Sequence, residues 1–280
     1  MVYSKTMIQN LNQLGIVIVT WNAGEVVIPC LQSIQKSDTD YLHNVVIVDN
    51  HSTDGGEEKI KTLFPEVNLI RNKENYGFSK AVNIGLKFFE RKYYLLLNPD
   101  TEVMPDTIPK LITFMESNET VGIAGPLIYS SEKIPELSFG AFPNPWNEFG
   151  QRKRFYRLQR KEPDAIQWIK QKMNKSLEVD WVSGACFLIR KEVIQQVGYL
   201  DENFFAYFED IDYCYRAYKS GWRICYYPLT RIQHIRGYSK AKNENKMKLE
   251  YRKSQSYYYK KNCAFLSQMI LSLIRVIKQD

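Results

Sequence analysis

Two aspartates stand where runs of aliphatic and β-branched residues stop. Asp49 ends one such run directly, and Asp100 follows another by three residues. Carboxylates repel phosphate, but they suit a phosphate bridged through Mg²⁺ or Mn²⁺, because hard cations take oxygen ligands and keep positions open for substrate phosphate. These residues therefore favour a metal-bridged diphosphate as the ligand.

A second acidic cluster lies in the segment F-F-A-Y-F-E-D-I-D-Y-C-Y-R, residues 204–216. Glu209, Asp210 and Asp212 fall within four positions and follow four aromatic residues. Like charges beside aromatic surface raise one another's pKa, which suits a general base. The alternative is an acid-decorated helix N-terminus, with Asp212 and Arg216 forming an ordinary i,i+4 pair.

A histidine, His234, lies in the segment I-Q-H-I-R-G-Y-S after the last predicted strand. Neutral imidazole there could ligate the same metal, provided that the strand ends at the same crevice. The alternative is a purely structural histidine.

The elements that must position these groups follow an alternating pattern. Strands are predicted at 15–21, 45–48 and 93–97, with helices at 25–36, 57–64 and 79–90 between and after them. This order predicts βαβ units, a mostly parallel sheet flanked by helices, and hence an α/β fold. Ligands bind beyond the carboxyl ends of such strands. One polar strand end is an ordinary turn, but three in succession favour a site.

The rest of the chain is less regular. Residues 137–180 are interpreted as an inserted loop or a small helical elaboration, and 179–190 as a strand that contains Gly184. Glycine within a strand often marks the close approach of a ligand or another backbone. A short helix is expected at 216–220, a last strand at 222–227 and helices from residue 240 onward.

Composition and missing motifs exclude several classes of protein. The chain has 280 residues, 44% of them hydrophobic and 25% charged, which excludes collagen, coiled coils and disordered tails. Five cysteines without a C-x-x-C pair disfavour a disulfide scaffold or structural zinc. Neither a G-x-G-x-x-G nor a G-x-x-x-x-G-K-[ST] phosphate loop occurs. The N-terminus is too polar for a signal peptide, so a cytoplasmic location is expected.

The excess positive charge is concentrated at the C-terminus. The net charge is +7, and residues 240–280 hold ten Lys/Arg against three Asp/Glu. A second basic run lies at 152–161. A solvated face would explain both, as would an anionic acceptor or an anionic membrane surface on the inner face of the cell membrane. Nucleic acid is disfavoured because no nucleic-acid-binding signature accompanies the charge.

Seven short motifs, in this order, resemble family 2 of the inverting glycosyltransferases with the GT-A fold, and within it the rhamnosyltransferase-like branch. They are I-V-T-W-N (18–22), V-D-N-H-S-T-D-G (48–55), N-Y-G-F-S-K-A-V-N (75–83), L-N-P-D-T-E-V (97–103), W-V-S-G-A (181–185), F-E-D-I-D-Y-C-Y-R (208–216) and H-I-R-G-Y-S (234–239). The resemblance covers about four fifths of the chain. It implies a GT-A domain over 1–239, with 137–180 as a variable insertion on the acceptor side and 240–280 as a basic helical extension.

The resemblance also implies roles for individual residues. The catalytic carboxyl groups would be those of Asp210, which would act as the base, and Glu209. The metal ligands would be Asp100 and His234, with Mg²⁺ or Mn²⁺ as cofactor. Trp181 and Gly184 would lie near the sugar and acceptor. The donor would be bound by Thr20, Asn22, Asp49, Asn50, Asn75, Gly77, Asn83 and Asn98. At Asn98 many members of the family have Asp, whereas N-P-D is similar to the rhamnosyltransferase branch.

The function implied is metal-dependent, inverting transfer of rhamnose from a dTDP- or UDP-sugar to a saccharide or polyprenyl-linked acceptor in bacterial cell-surface polysaccharide synthesis. Three alternatives stay open. One is the same reaction with galactofuranose, glucose or mannose; another is a nucleotide-sugar-binding protein without turnover. The third is a membrane-docked interaction protein, which would leave the polar strand ends unexplained.

Overall fold

The structure, a computed structural model, describes residues 13–235 and 238–277, with side chains described over 13–235 and 245–272. The polar N-terminal residues 1–12 and the Arg236-Gly237 pair of the last motif lie outside the described residues.

A sheet of nine strands forms the centre of the described part of the chain. Its strands run in the order β3-β2-β1-β4-β10-β6-β11-β5, and β8 pairs with another part of β11; β7 and β9 form a separate pair. The strands are β1 (Leu14–Thr20), β2 (Val45–Asp49), β3 (Asn68–Arg71), β4 (Tyr93–Leu97), β5 (Thr101–Val103), β6 (Val121–Ser130), β7 (Phe139–Gly140), β8 (Leu177–Val179), β9 (Trp181–Val182), β10 (Cys186–Arg190) and β11 (Arg223–His234).

Most of the strands in the large sheet run in one direction. The pairs β1–β2, β1–β4, β2–β3 and β6–β11 are parallel, whereas β10 is antiparallel to both β4 and β6. Strands β5 and β8 run antiparallel to β11. The carboxyl ends of β1, β2, β4 and β11 therefore meet at one edge, and β10 begins there. We call this the catalytic edge, after the active site that the sequence predicts there.

Helices cover both faces of the sheet. They are α1 (Val27–Ser37), α2 (Gly56–Leu63), α3 (Phe78–Phe88), α4 (Thr107–Glu116), α5 (Pro145–Gln159), α6 (Pro163–Gln171), α7 (Lys191–Val197), α8 (Glu209–Lys219), α9 (Tyr238–Asn262) and α10 (Phe265–Ile277), with a 3₁₀ turn at Thr39–Asn44. Strand β1 shows why: Ile16 and Ile18 pack into one buried cluster and Val17 and Val19 into the other. Because side chains alternate along a strand, a fully apolar strand needs cover on both sides.

The predicted α/β architecture is confirmed, and two local predictions are wrong. Residues 179–190 do not form one strand, because the chain leaves the sheet between β9 and β10 at the turn that contains Gly184. The helix expected at 216–220 begins at Glu209, so the acidic cluster forms its first turn and Asp212 pairs with Arg216, as the alternative interpretation of the cluster predicted. The region 137–180 contains two helices, α5 and α6, in keeping with a helical elaboration.

The basic C-terminal extension is helical, as predicted, and packs against the loop that precedes α8. Ser254 of α9 donates to the carbonyl of Ala206 at 2.7 Å, and Lys261 lies 3.0 Å from a carboxylate oxygen of Asp212. A buried hydrophobic cluster at this contact consists of four aromatic residues and one leucine: Phe204, Phe208, Tyr258, Tyr259 and Leu271. Within the described residues, no helix is both long enough and apolar enough to cross a membrane.

Candidate active site

The ends of β1 and β2 are joined by a buried hydrogen-bond network around Asp49. The hydroxyl of Thr20 donates to Asp49 Oδ1 at 3.1 Å, and the N–H of Ser52 donates to Asp49 Oδ2 at 3.0 Å. The Ser52 hydroxyl also bonds Asp49 Oδ1. Thr20 and Asp49 are both almost fully buried. The network thus holds the two strand ends in register beneath the predicted donor site.

A second network extends along the catalytic edge from Asn50. Its side-chain amide donates to the carbonyl of Gly77 at 3.0 Å, and Asn75 accepts the N–H of Gly77 at 2.9 Å. Gly77 has φ +84°, and a Cβ there would lie 2.7 Å from the carbonyl oxygen of Phe205. Glycine is therefore required, because the turn before α3 lies directly against the loop before α8.

Asn22 lies at the rim of the same edge. Its side-chain oxygen accepts the N–H of Thr53 at 2.7 Å, and its own φ of 51° is in the left-handed region. Trp21 beside it is 38% exposed, and Lys246 of α9 lies over its ring at 5.4 Å. Sequence reasoning did not single out Trp21, although its place between two predicted donor residues was a signal. An open aromatic ring here can stack on a nucleobase.

Asn83 occupies a different environment. It is 2% exposed, accepts the N–H of Leu200 at 3.0 Å, and donates to the carbonyl of Leu200 and to Glu202. Its amide is thus used in fixing the loop after α7. This geometry favours a positioning role, and its predicted contact with the donor stays a prediction.

Asp100 and His234 do converge at the catalytic edge. Asp100 Oδ1 lies 3.1 Å from His234 Nε2, and the N–H of Ile235 donates to the carbonyl of Asp100 at 2.8 Å. On the other side of the ring, Glu136 Oε2 lies 3.6 Å from His234 Nδ1. Glu136 belongs to none of the motifs, so sequence reasoning missed it.

The ligand atoms of Asp100 and His234 fit a divalent cation that is bound together with the substrate. Among the described residues no group of three or more His, Cys, Asp or Glu side chains could hold a metal ion by itself. Asp100 and His234 offer one oxygen and one nitrogen, and Mg²⁺ or Mn²⁺ is commonly held by one or two protein ligands together with substrate phosphates. Glu136 lies where a carboxylate would orient the imidazole of a metal-bound histidine.

Asp210 is linked to the same edge through the turn between β9 and β10. The N–H of Gly184 donates to Asp210 Oδ2 at 2.8 Å, and the N–H of Ile211 donates to Oδ1 at 2.8 Å. The next residue, Ala185, accepts the N–H of Asn98 at 3.0 Å. Burial raises the pKa of Asp210 above its usual value, while the two N–H groups oppose this rise. The result is a carboxyl group held in a fixed orientation near the end of β4.

Glu209 has a different environment from its neighbour. It is 8% exposed, and its Oε2 is buried and has no hydrogen-bond partner among the described residues. Burial, and then the charge of Asp210, raise the pKa of Glu209 well above its usual value. The pKa of Glu209 is thus raised further than that of Asp210, so Asp210 is the member of the pair that ionises first as the pH rises.

Trp181 contacts the start of the 137–180 elaboration. Its ring N–H donates to the carbonyl of Ala141 at 2.9 Å, and β9, which contains it, pairs with β7. The adjacent Asp180 accepts the N–H of Phe142 at 2.7 Å. These contacts attach the start of the 137–180 elaboration to the turn that holds Asp210. The acceptor role of Trp181 and Gly184 stays a prediction.

The sequence profile of the family described as Glycosyl transferase family 2 matches residues 15–198. An N-acetylglucosaminyl-diphospho-decaprenol L-rhamnosyltransferase of Mycobacterium tuberculosis is 28% identical over 258 residues, which cover 82% of this chain and 78% of that protein. The dTDP-rhamnosyl transferase RfbF of Shigella flexneri is 26% identical over 227 residues, covering 79% and 68% of the two chains. The crystal structure of GalNAc-T7 with UDP, GalNAc and Mn²⁺ aligns with a TM-score of 0.60 at 18% identity, over 80% of this chain and 43% of that one.

Proposed function

The chain belongs to glycosyl transferase family 2, in which it has rhamnosyltransferase relatives, and from this premise we propose the reaction. The enzyme transfers rhamnose, with inversion, from a dTDP- or UDP-sugar to a saccharide or polyprenyl-linked saccharide. The product enters a bacterial cell-surface polysaccharide. The names of the two relatives, one a rhamnosyltransferase acting on a decaprenol diphosphate-linked sugar and the other a dTDP-rhamnosyl transferase, support this choice of donor and acceptor.

The observation that carries the proposal is a series of hydrogen bonds that connects residues along the catalytic edge. His234 and Asp100 stand at one end, and the chain from Asn98 through Ala185 and Gly184 leads to the carboxylate of Asp210. The pair that would bind the diphosphate and the proposed base thus lie along one edge of the sheet. Displacement at a sugar carbon needs this arrangement, because the leaving group and the attacking oxygen are on opposite sides of the reacting atom.

Asp210 acts as the general base. It accepts the proton of an acceptor hydroxyl while that oxygen forms a bond to the anomeric carbon, and the bond from this carbon to the nucleotide diphosphate breaks on the opposite face. The electron pair of the broken bond leaves with the diphosphate. A single displacement inverts the anomeric configuration and needs no enzyme nucleophile.

Asp100 and His234 would hold the divalent cation, which when bound neutralises charge on the leaving diphosphate. The protein's own contribution here is orientation. The backbone bond from Ile235 to Asp100 fixes the end of β11 against the start of β5. The two candidate ligands then face each other before any donor binds.

Substitution of Asp210 by Asn tests the proposed base. Transfer should fall by about two decades or more, whereas donor affinity should stay close to that of the wild type, because the base acts on the acceptor in the transition state. Release of nucleoside diphosphate from dTDP-rhamnose, with a saccharide acceptor and Mn²⁺, measures transfer, and calorimetry measures donor binding. Loss of donor affinity together with rate would make Asp210 a binding residue.

Two further outcomes separate the alternatives. Turnover of UDP-galactofuranose or of a glucose or mannose donor, without turnover of dTDP-rhamnose, would retain the reaction class and change the sugar. Tight donor binding without turnover of any of these donors would indicate a nucleotide-sugar-binding protein. Thermal stabilisation by each nucleotide sugar ranks the donors, because a ligand that binds only the folded state raises its stability.

A further inference from the structure

Helices α5 and α10 expose large apolar side chains at one corner of the molecule. We call these residues the apolar corner; their exposed fractions are 80% for Trp146, 62% for Phe149, 73% for Phe265, 67% for Leu266 and 55% for Met269. Scattered exposed apolar residues are ordinary on protein surfaces, but a contiguous set marks an interaction site.

Contacts between the two helices make the set contiguous. The thiol of Cys263, just before α10, donates to the carbonyl of Pro143, just before α5, at 3.6 Å. Tyr259 also donates to Glu148 of α5 at 2.5 Å, and α5 and α10 pack against each other. Trp146 is three residues from one end of the Pro143–Cys263 contact, and Phe265 is two residues from the other. Both apolar groups therefore lie beside the same junction.

Basic residues accompany the apolar ones on α5. Arg152 lies three positions after Phe149, and Lys153 lies seven positions after Trp146, so helical spacing places them on the same side. Both are exposed, and Arg152 lies over the ring of the exposed Tyr156 at 5.8 Å. The acid of this stretch, Glu148, bonds Tyr259 and Gln255 of α9. The surface is therefore both apolar and positively charged.

We propose that the apolar corner docks on an anionic lipid bilayer. A helix with exposed aromatic residues and adjoining Arg and Lys lies in the interfacial plane, with its apolar side in the acyl boundary and its cations at the headgroups. Tryptophan suits this position because its ring is apolar and its N–H is polar. The docking surface is then a part of the one expected from sequence, namely the start of the basic run 152–161 together with α10, whereas Lys246 and Lys261 of the basic tail contact the protein itself.

The position of the corner also suits the proposed reaction, and in this respect the inference rests on the proposed function. Helix α5 begins four residues after Ala141, whose carbonyl holds the ring N–H of Trp181. The acceptor side of the catalytic edge is thus attached to the docking helix. A polyprenyl-linked saccharide held in the same membrane would approach from that side.

A second copy of this chain is a poorer occupant of the corner. In a two-fold symmetric dimer the same patch meets itself, so Arg152 and Lys153 of one copy would approach those of the other. Like charges brought together across an interface disfavour association. An anionic surface has the complementary charge.

The test is co-sedimentation of the full chain with vesicles of equimolar phosphatidylglycerol and phosphatidylcholine. The triple variant Trp146→Ser, Phe265→Ser, Leu266→Ser should bind at least about tenfold more weakly than the wild type. Arg152→Gln with Lys153→Gln should weaken binding to these vesicles and make it less sensitive to salt. Leu63→Ser with Leu229→Ser is the matched control, because both residues are exposed and lie elsewhere, and it should bind like the wild type.

Nucleoside diphosphate release with a water-soluble acceptor is measured for every variant. Wild-type rates there, with lost vesicle binding, support the proposal independently of the identity of the lipid-linked acceptor. Equal sedimentation of the wild type and the triple variant, or none by either at low salt, would overturn it. A concentration-dependent dimer that the triple substitution abolishes would assign the corner to a second copy and overturn it as well.

Discussion

At the scale of single residues, two adjacent carboxyl groups differ because their surroundings differ. Asp210 accepts two backbone N–H groups, which favour its ionised form, whereas Glu209 is buried with one oxygen lacking a partner. The N-terminal end of α8 further favours a negative charge in its first turn. The pKa of Glu209 is therefore raised further than that of Asp210, and Asp210 ionises first as the pH rises.

This assignment predicts an unusual pH dependence for Glu209→Gln. A raised carboxyl pKa in the folded state stabilises the protein only at low pH, and this stabilisation is lost as the pH rises toward the folded-state pKa. The neutral amide has no such dependence. The free energy of unfolding of the variant should equal that of the wild type near pH 4. As the pH rises it should exceed that of the wild type, by up to about 1.4 kcal/mol for each unit by which the pKa is raised.

Urea unfolding from about pH 4 upward measures the difference in free energy of unfolding between Glu209→Gln and the wild type. Glu192→Gln, at an exposed position on α7, is the control and should show no such trend. A constant difference between Glu209→Gln and the wild type at all pH values would mean that Glu209 is ionised in the folded protein.

The metal site gives a second prediction at this scale. Asp100→Ala should remove the divalent-cation dependence of donor binding, and His234→Ala should weaken it less, because the carboxylate supplies the charge. Glu136→Gln should lower Mn²⁺ affinity in the presence of nucleoside diphosphate by about 10- to 100-fold, since it would orient the histidine. Mn²⁺ titration by electron paramagnetic resonance measures this without turnover. Unchanged affinity in Glu136→Gln, as expected for the nearby control Glu132→Gln, would exclude the orienting role.

The sequence located the acids and the histidine that lie on strand ends, but it did not locate their supporting residues. Asp100 follows an apolar run and His234 follows the strand predicted at 222–227, which extends to His234 in the structure, so their meeting at one edge could be predicted from the order of strands. Glu136 follows β6 in an irregular stretch, and only the path of that stretch brings it to His234. Asn83 lies in a family motif, yet its contacts are with a loop more than a hundred residues later.

At the scale of elements, the start of α8 is held by the C-terminal extension. Tyr207 and Phe208, the two residues before Glu209, have φ of 68° and 66°. These values lie in the left-handed region, which residues other than glycine seldom adopt. Such a conformation persists only where surrounding contacts impose it. The bond from Ser254 to Ala206 and the aromatic packing of Phe208 supply those contacts.

Lys261 tests this coupling between α9 and α8. It lies 2.7 Å from an oxygen of Asp201 and 3.0 Å from one of Asp212, and the Asp212 side chain is fully buried. Lys261→Met should lower the free energy of unfolding by about 1 to 3 kcal/mol, because a buried carboxylate loses a charged donor. Lys260→Met, the exposed neighbour, should have little effect. Equal unfolding midpoints in urea for both variants would show that the contact does not stabilise the loop.

The elements that could be predicted from sequence are those with a simple period. Strands β1, β2 and β4 are fully buried runs, and the helices between them are bounded by polar turns. The break between β9 and β10 could not be predicted, because Val182 and Cys186 are both buried and the apolar pattern hides the turn. The start of α8 at Glu209 was predicted only by the alternative interpretation of the acidic cluster, because the two residues in left-handed conformation before it have no local signal.

At the scale of the whole molecule, the extension that holds the net charge also completes the fold. On α9, Lys246 lies over the ring of Trp21 at the rim of the catalytic edge. At the other end of the helix, Asn262 donates to Asp212 in the first turn of α8. The tail thus spans the catalytic edge, although its composition resembles that of a solvated basic appendage. The domain boundary at residue 239 stays a prediction, and it is the one that a shortened chain tests directly.

A chain that ends at Ser239 should lose more than membrane binding. Phe204 and Phe208, both almost fully buried, would lose the packing of Tyr258 and Tyr259, and uncovering such aromatic surface costs about 1.5 to 3 kcal/mol for each side chain. The loop before α8 would also lose the contacts that impose its left-handed residues. We therefore expect a lower melting temperature and loss of transfer to a water-soluble acceptor, where no membrane is involved. The full chain carrying the triple substitution in the apolar corner is the matched control, because it should keep both. If the shortened chain retained wild-type melting and wild-type transfer, the extension would be an independent appendage and the base would be positioned by the remaining residues alone.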